Sequence, residues 1–229
     1  RSLLEDVNIS LTSEMENRAA NLESQGKTLL FLSDSRNLSG IIAVADTLKE
    51  TAVESVGLLQ KLGIEVWMIT GDNERTAKAI GEKMGIKNIM AKVLPREKAE
   101  KIKKLQAEGK NVAMVGDGIN DAPALADADV GIAIGTGTDI AIESGDITLI
   151  SGDPMGIYEA IKLSRKTLSN IKQNLFWAYV YNIILIPVAA GVLWPVWGIL
   201  LNPILAGGAM AFSSVSVVLN SLRLKHIKL

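Results

Sequence analysis

From Gln173 to Leu222 the chain runs for 50 residues without one formal charge. An uncharged run of that length fits a deeply buried helical pair or two crossings of a bilayer, each crossing taking about 20 mostly apolar residues. The charge lies before it. All 25 acidic residues and all but three of the 24 basic residues lie at or before Lys172, and only Arg223, Lys225 and Lys228 follow the run. The sequence therefore reads as a mildly acidic soluble domain followed by a transmembrane α-helical hairpin.

The spans are expected at about Leu175 to Trp194 and Leu200 to Leu219. Phe176, Trp177, Trp194 and Trp197 fall near the ends of the first span and in the turn, where amphipathic rings favour the interface. Basic residues flank both outer ends and the turn has none, which places both ends in the cytoplasm. Pro187 and Pro203 interrupt the spans and can free backbone carbonyls there.

Several function classes drop out. No basic stripe exists for nucleic acid. With 0 Cys and a single His, neither a disulfide framework nor a histidine metal site is available. Arg1 to Asp6 lacks the apolar core of a signal peptide, so the soluble part is expected to stay where it is made. The lack of an initiator Met suggests a cropped or processed chain.

Short apolar strands alternate with helical patterns through the first 150 residues. Helices are expected over Glu14 to Gln25, Thr47 to Leu62, Glu74 to Met84 and from Pro95 to Gly109. Strands are expected at Thr28 to Leu32, Gly40 to Ala45, Glu65 to Ile69, Val112 to Val115, Val130 to Ile134 and Ile147 to Ile150. A further helix starts near Pro154. This alternation marks an α/β fold with a doubly wound parallel sheet.

Ligands in such sheets gather at the carboxyl ends of strands. Two loops stand there: Thr70-Gly71-Asp72, with a hydroxyl, a glycine amide and a carboxylate, and Gly116-Asp117-Gly118-Ile119-Asn120-Asp121. Carboxylates at Asp117 and Asp121 suit Mg²⁺, which takes one or two of them with phosphate oxygens and water. Ile119 sits where an EF-hand would need an oxygen ligand. Lys98, near the start of the helix from Pro95, can neutralise charge on a transferring phosphoryl group. Each motif alone is also a common turn or a solvated lysine; their order on a βαβ scaffold is the specific signal.

These residues, with Pro95 to Lys98 and the long run Gly116 to Ala126, resemble the second half of the phosphorylation domain of P-type ATPases, a haloacid dehalogenase-like branch. The resemblance continues through Gly135 to Asp139 and Ile142 to Ser144, as in the heavy-metal pumps. It implies that residues 1–45 are the tail of a nucleotide-binding domain, 46–153 the second half of the phosphorylation domain, 154–174 a stalk helix, 175–222 two membrane helices and 223–229 a basic cytoplasmic tail. It implies ATP and Mg²⁺, with Thr70, Gly71 and Gly118 at the phosphoryl group and Lys98 offsetting its charge. Asp117 would hold Mg²⁺, with Asn120 and Asp121 organising that site and Asp121 sharing the metal. Asp46 matches an acidic hinge.

The family's nucleophile, in Asp-Lys-Thr-Gly-Thr, has no counterpart. Asp34 and Asp46 end apolar strands, but the residues after them do not fit a phosphorylation loop. The fragment alone is expected to be inactive, with the nucleophile, the actuator domain and earlier membrane helices upstream.

The apolar run bears on the ion. Met210 lies mid-span, four residues before Ser214 and so on its helix face. A thioether selects soft Cu(I), whereas hard divalent ions need carboxylates that are absent here. Met210 with Gly207-Gly208 and Ser213-Ser214 could equally be helix packing. Tyr181-Asn182 and Met210 with Ser213-Ser214 resemble the patterns of copper(I)-exporting pumps, which complete the site with an upstream Cys-Pro-Cys. That resemblance implies Cu(I), with Ag(I) as a chemical mimic, and a copper chaperone as partner. Two other readings stay open: a membrane-tethered phosphatase, and a truncated non-catalytic product.

Overall fold

The computed structural model describes residues 4, 9, 11–34, 37–45, 47–117, 120–135, 145–198 and 203–226, without the side chains of 203–206 and 209. These fall into two compact units, Arg1–Tyr158 and Glu159–Leu229.

In the first unit, Thr12 starts helix α1 (Ser13–Ser24) by accepting the Met15 N–H on its side chain, the usual service of a hydroxyl at this position. Strands β1 (Thr28–Ser33) and β2 (Leu38–Val44) follow as an antiparallel hairpin, with a register shift at Leu32/Ser33. Helix α2 (Glu50–Lys61) starts three residues later than its apolar spacing suggests. Three βα repeats then follow: β3 (Trp67–Ile69) with α3 (Glu74–Met84), β4 (Asn88–Met90) with α4 (Pro95–Ala107), and β5 (Ala113–Gly116) with α5 (Ala122–Asp127). Strands β6 (Val130–Ile134) and β7 (Ile147–Leu149) complete the set.

The helix ends obey local chemistry. Asn73 caps α3, its Oδ1 accepting the Arg75 and Thr76 N–H groups at 3.0 Å each. Gly85 closes the same helix at φ 71°, a left-handed conformation that glycine adopts without penalty. Pro95 opens α4, and the Glu97 carboxylate reaches back to the Leu94 N–H at 3.0 Å.

All observed pairings after the hairpin are parallel, β3 with β4 and β5–β6–β7 in that order. The expected single sheet is therefore two parallel ladders among the described residues. Strand β4 was not anticipated: three residues, one of them Asn, give no period to detect. The core joins the ladders. Ile102, Met114, Ala124 and Leu125 are buried together, with Ile69, Val112 and Ala128 packed against them. Burying each of the larger side chains contributes about 1.5–3 kcal/mol.

The long helix α6 (Met155–Ala189) begins at the end of the first unit and continues into the second. It stops five residues before Trp194. Pro187 lacks an N–H, and the Val192 N–H turns back to its carbonyl at 3.1 Å, ending the helix in a turn. Trp194 instead begins a one-turn helix α7 (Trp194–Trp197), and α8 (Pro203–Leu222) follows, ending in a 3₁₀ turn at Arg223–His226. Among the described residues no helix is long and apolar enough to cross a membrane. Lys172, Gln173, Asn174 and Asn182 dilute the apolar run of α6, and residues 200–202 of the expected second span lie outside the described residues.

Candidate active site

Both predicted loops stand at the carboxyl ends of parallel strands, the position where α/β sheets bind ligands. Thr70 follows β3 directly. Its N–H donates to the Met90 carbonyl and its own carbonyl accepts the Val93 N–H, both at 3.0 Å, so the loop is pinned to the strand end of β4.

Asp72 is tied into the loop by both of its carboxylate oxygens. Its carboxylate accepts the Thr70 hydroxyl at 2.8 Å and the Thr28 hydroxyl at 3.1 Å, while its N–H donates back to Thr70 Oγ1 at 3.1 Å. The carboxylate shapes the loop and ties it to β1. Gly71 has open space around it: an added Cβ would meet only the Val93 carbonyl oxygen, at 3.6 Å. The residue itself is exposed.

The second loop centres on Lys98 and Asp121, whose Nζ and Oδ1 lie 2.6 Å apart with side chains 17% and 11% exposed. A charge-assisted contact this short and this sheltered from water is of the strong kind. The other Asp121 oxygen lies over Gly116, where a Cβ would fall 2.6 Å from it. Asp117 and Asn120 are exposed at the mouth of the loop. Gly118, like Asp46 and residues 136–144, lies outside the described residues.

An exposed Asp117 fits one ligand position on Mg²⁺, an ion that keeps much of its shell as water and phosphate. No group of three or more His, Cys, Asp or Glu able to hold a metal occurs among the described residues. Asp121, expected to share the metal, places one oxygen on Lys98 and the other over Gly116.

Sequence reasoning missed the residues that hold the first loop. Glu23 is 4% exposed and accepts the Asn73 amide and the Arg75 guanidinium, each at 3.3 Å. The Thr76 hydroxyl donates to the Lys27 carbonyl at 3.1 Å. A cavity of about 480 Å³ opens beside this latch, lined by Glu23, Thr28, Phe31, Gly71, Asp72 and Lys92 among others. Its only sequence trace was the polar pattern of α1.

Three carboxylates away from the loops titrate below their ordinary range. The Lys110 ammonium holds Glu65 down, with help from the Asn88 amide. Asp129 is lowered by the Val112 N–H and Asp153 by the Met155 N–H.

In the second unit, the Tyr181 ring lies 6.5 Å from that of Trp177. Asn182 donates to the Ala178 carbonyl at 3.0 Å and Ser214 to the Met210 carbonyl at 3.2 Å, each within its own helix. Met210 is 69% exposed and Ser213 half-buried.

A family model described as a haloacid dehalogenase-like hydrolase matches residues 2–129. The chain is 55% identical over 224 residues to the probable copper-transporting ATPase PacS of Synechocystis, spanning 97% of this chain and 30% of that protein. It is 55% identical to the copper-exporting P-type ATPase of Bacillus subtilis, spanning 100% of this chain and 27% of that protein. Among solved structures, a zinc-transporting PIB-type ATPase in the E2.Pi state superposes with a TM-score of 0.75 at 36% identity, over 93% of this chain and 34% of that one. The chain thus spans about 30% of the length of the curated relatives it matches.

Proposed function

Because this chain belongs to the haloacid dehalogenase-like hydrolase family, we propose that it is the C-terminal part of an ATP-driven copper(I)-exporting P-type ATPase. The observation that carries the reading is the Lys98–Asp121 pair, held sheltered at 2.6 Å behind an exposed Asp117 at the end of β5.

In this reading residues 1–45 end a nucleotide-binding domain, 46–153 form the second half of the phosphorylation domain, 154–174 the stalk and 223–229 a cytoplasmic tail. The Thr70 hydroxyl and Gly71 amide bind phosphoryl oxygens. Lys98, oriented by Asp121, offsets their negative charge, which is the main service a phosphotransferase site provides. Asp117, beside Asn120 and Gly118, would hold Mg²⁺, which when bound supplies positive charge against phosphate oxygens. The nucleophilic aspartate comes from a segment outside this chain, and a copper chaperone is the expected donor of cargo.

Residues 175–222 form the transmembrane hairpin. The support is the charge-free run together with the apolar surface of α6 and α8, where Leu175, Phe176, Ile183, Ile184, Ile186 and Phe212 are all exposed. A surface of that kind on uncharged helices suits lipid or partner helices better than water. Tyr181, Asn182, Met210, Ser213 and Ser214 contact the ion. A relative at 36% identity transports zinc, yet the run offers no carboxylate or imidazole for zinc, and its thioether favours Cu(I) or Ag(I).

The test is metal-stimulated phosphorylation of the full-length polypeptide from ATP. Cu(I) and Ag(I) are expected to stimulate it, and Met210→Ala to weaken that stimulation while phosphorylation from inorganic phosphate persists. Stimulation by Zn²⁺ and not Cu(I) would overturn the cargo. A normal phosphoenzyme level in Asp117→Asn would overturn the magnesium assignment.

A further inference from the structure

We propose that Asn170, Asn174, Asn220 and Ser221 form an amide clamp that sets the axial register of α6 against α8, and thereby the level at which Tyr181 and Asn182 stand beside Met210 and Ser214. The functional consequence rests on the transport reading above; the register itself does not.

The three asparagines form a closed circuit, one link of it through the Asn220 backbone carbonyl, and Ser221 joins it through Asn174. Asn170 Nδ2 donates to the Asn220 carbonyl at 2.8 Å, and Asn220 Nδ2 donates to Asn174 Oδ1 at 2.8 Å. Asn174 Nδ2 donates to Asn170 Oδ1 at 3.1 Å and to Ser221 Oγ at 2.9 Å. The Asn220 carbonyl is among the last four of its helix, which lack an intrahelical partner, so Asn170 supplies what the helix cannot. Asn170 is 8% exposed, the buried position among the described residues of α6.

Such a circuit discriminates between registers. Sliding one helix by a residue moves it about 1.5 Å and by a turn about 5.4 Å, and an amide hydrogen bond does not survive the larger displacement. Apolar side chains alone would tolerate slippage. A buried asparagine that fixes register where apolar contacts would not is the known use of such a residue between helices.

The two helices run antiparallel. From the clamp to the facing helix ends is about 22 Å along α6 and 27 Å along α8. A parallel arrangement would require residues 190–202 to bridge nearly 50 Å, beyond their extended reach of about 45 Å. Tyr181 lies seven residues after Asn174, and Ser214 seven before Ser221. Seven residues are close to two turns, so each shares a face with its clamp residue and both reach about 10 Å along the pair. Met210, eleven residues before Ser221, continues the same face one turn on. The clamp therefore brings the two candidate ion-contacting groups to one level. Met210 remains exposed, so the pair forms one wall of a site.

The chain has no cysteine, so once the cysteines expected upstream of it are replaced by serine the register can be read by cross-linking. In the full-length polypeptide in membranes, Tyr181→Cys would be combined with Ser214→Cys or, one turn away, Val218→Cys, and the bridged peptides identified by mass. The 181–214 pair is expected to dominate, and to lose that dominance when Asn174→Leu or Asn220→Leu is added. Unchanged dominance in both variants would overturn the clamp. Should these not accumulate, Ser221→Val and Ser221→Thr are nearly isosteric and differ in the hydroxyl that Asn174 uses; Val is expected to spread the cross-links and Thr to preserve them. For transport, losing this bond is expected to raise the Cu(I) concentration for half-maximal phosphorylation by roughly ten-fold in Ser221→Val, with phosphorylation from inorganic phosphate and the Ser221→Thr protein unchanged. A parent protein that Cu(I) does not activate would overturn the transport reading alone, because the cross-links report register without it.

Discussion

Lys98 and Asp121 stand 23 positions apart in sequence, yet the ammonium nitrogen and a carboxylate oxygen meet at 2.6 Å where water barely reaches. Helix α4 brings one and the turn after β5 brings the other, so the pair links two βα units at one strand end. Removing one partner leaves a charge that is neither solvated nor paired. Lys98→Met is expected to destabilise the protein by about 2–4 kcal/mol, with Lys98→Met/Asp121→Asn recovering part of the loss. Thermal unfolding of these two variants and of Asp121→Asn alone measures the coupling, and additive losses would show that the pair does not act as one.

Gly116 and Gly71 should fail in different ways. Alanine at Gly116 puts a methyl 2.6 Å from Asp121 Oδ2, so Asp121 must move and release Lys98. Gly116→Ala is therefore expected to lower both melting temperature and phosphoenzyme. Alanine at Gly71 meets nothing closer than 3.6 Å within the chain. Gly71→Ala is expected to keep the melting temperature while weakening inhibition by vanadate or phosphate. Equal behaviour of the two variants would contradict the open approach assigned to Gly71.

Glu23 gives a third prediction. Its carboxylate is buried and holds Asn73, the cap of α3, together with Arg75. Glu23→Ala leaves the guanidinium and amide without their acceptor, a loss of about 1–3 kcal/mol. Glu23→Gln keeps one acceptor oxygen and should lie between parent and alanine. Chemical denaturation of all three proteins orders them.

Acid should act through Glu65, Asp129 and Asp153, all lowered in the folded protein. A carboxylate with a depressed folded-state pKa stabilises the fold above its unfolded pKa and loses that contribution as pH falls through the folded value. The loss is therefore expected to begin near pH 4 and to deepen below it. Asp129→Asn should flatten that acid limb and leave the curve near pH 7 with the same shape. Denaturation midpoints from pH 7 to pH 3 decide it.

Much of this was legible in the residues. Thr70, Lys98, Asp117 and Asp121 stand out by their order on alternating strands and helices rather than by any one motif, and Pro95 and Gly85 punctuate their helices by simple backbone sterics. Strand β4 was not legible, since Asn88-Ile89-Met90 is too short for any period and becomes a strand only by pairing with β3. Glu23 was hidden for another reason: on a polar helix nothing local separates a buried glutamate from its exposed neighbours. The Lys98–Asp121 contact shows the same limit, since nothing in the local sequence places the distant lysine beside Asp121. Asn174 and Asn220 lay in a run that attracted attention for lacking charge, with Asn170 just before it, and only the pairing of the two helices completes their circuit.

The split of the parallel strands into two ladders has a practical side. Within the described residues, β3 pairs only with β4 and β5 only with β6, so each carries a row of backbone donors and acceptors along one flank. Such flanks recruit strands from whatever polypeptide is near. Here they are three and four residues long, enough for a weak and reversible grip. Preparations of this chain by itself should therefore self-associate as concentration rises, and a short synthetic β-forming peptide able to occupy those flanks should act as a solubiliser.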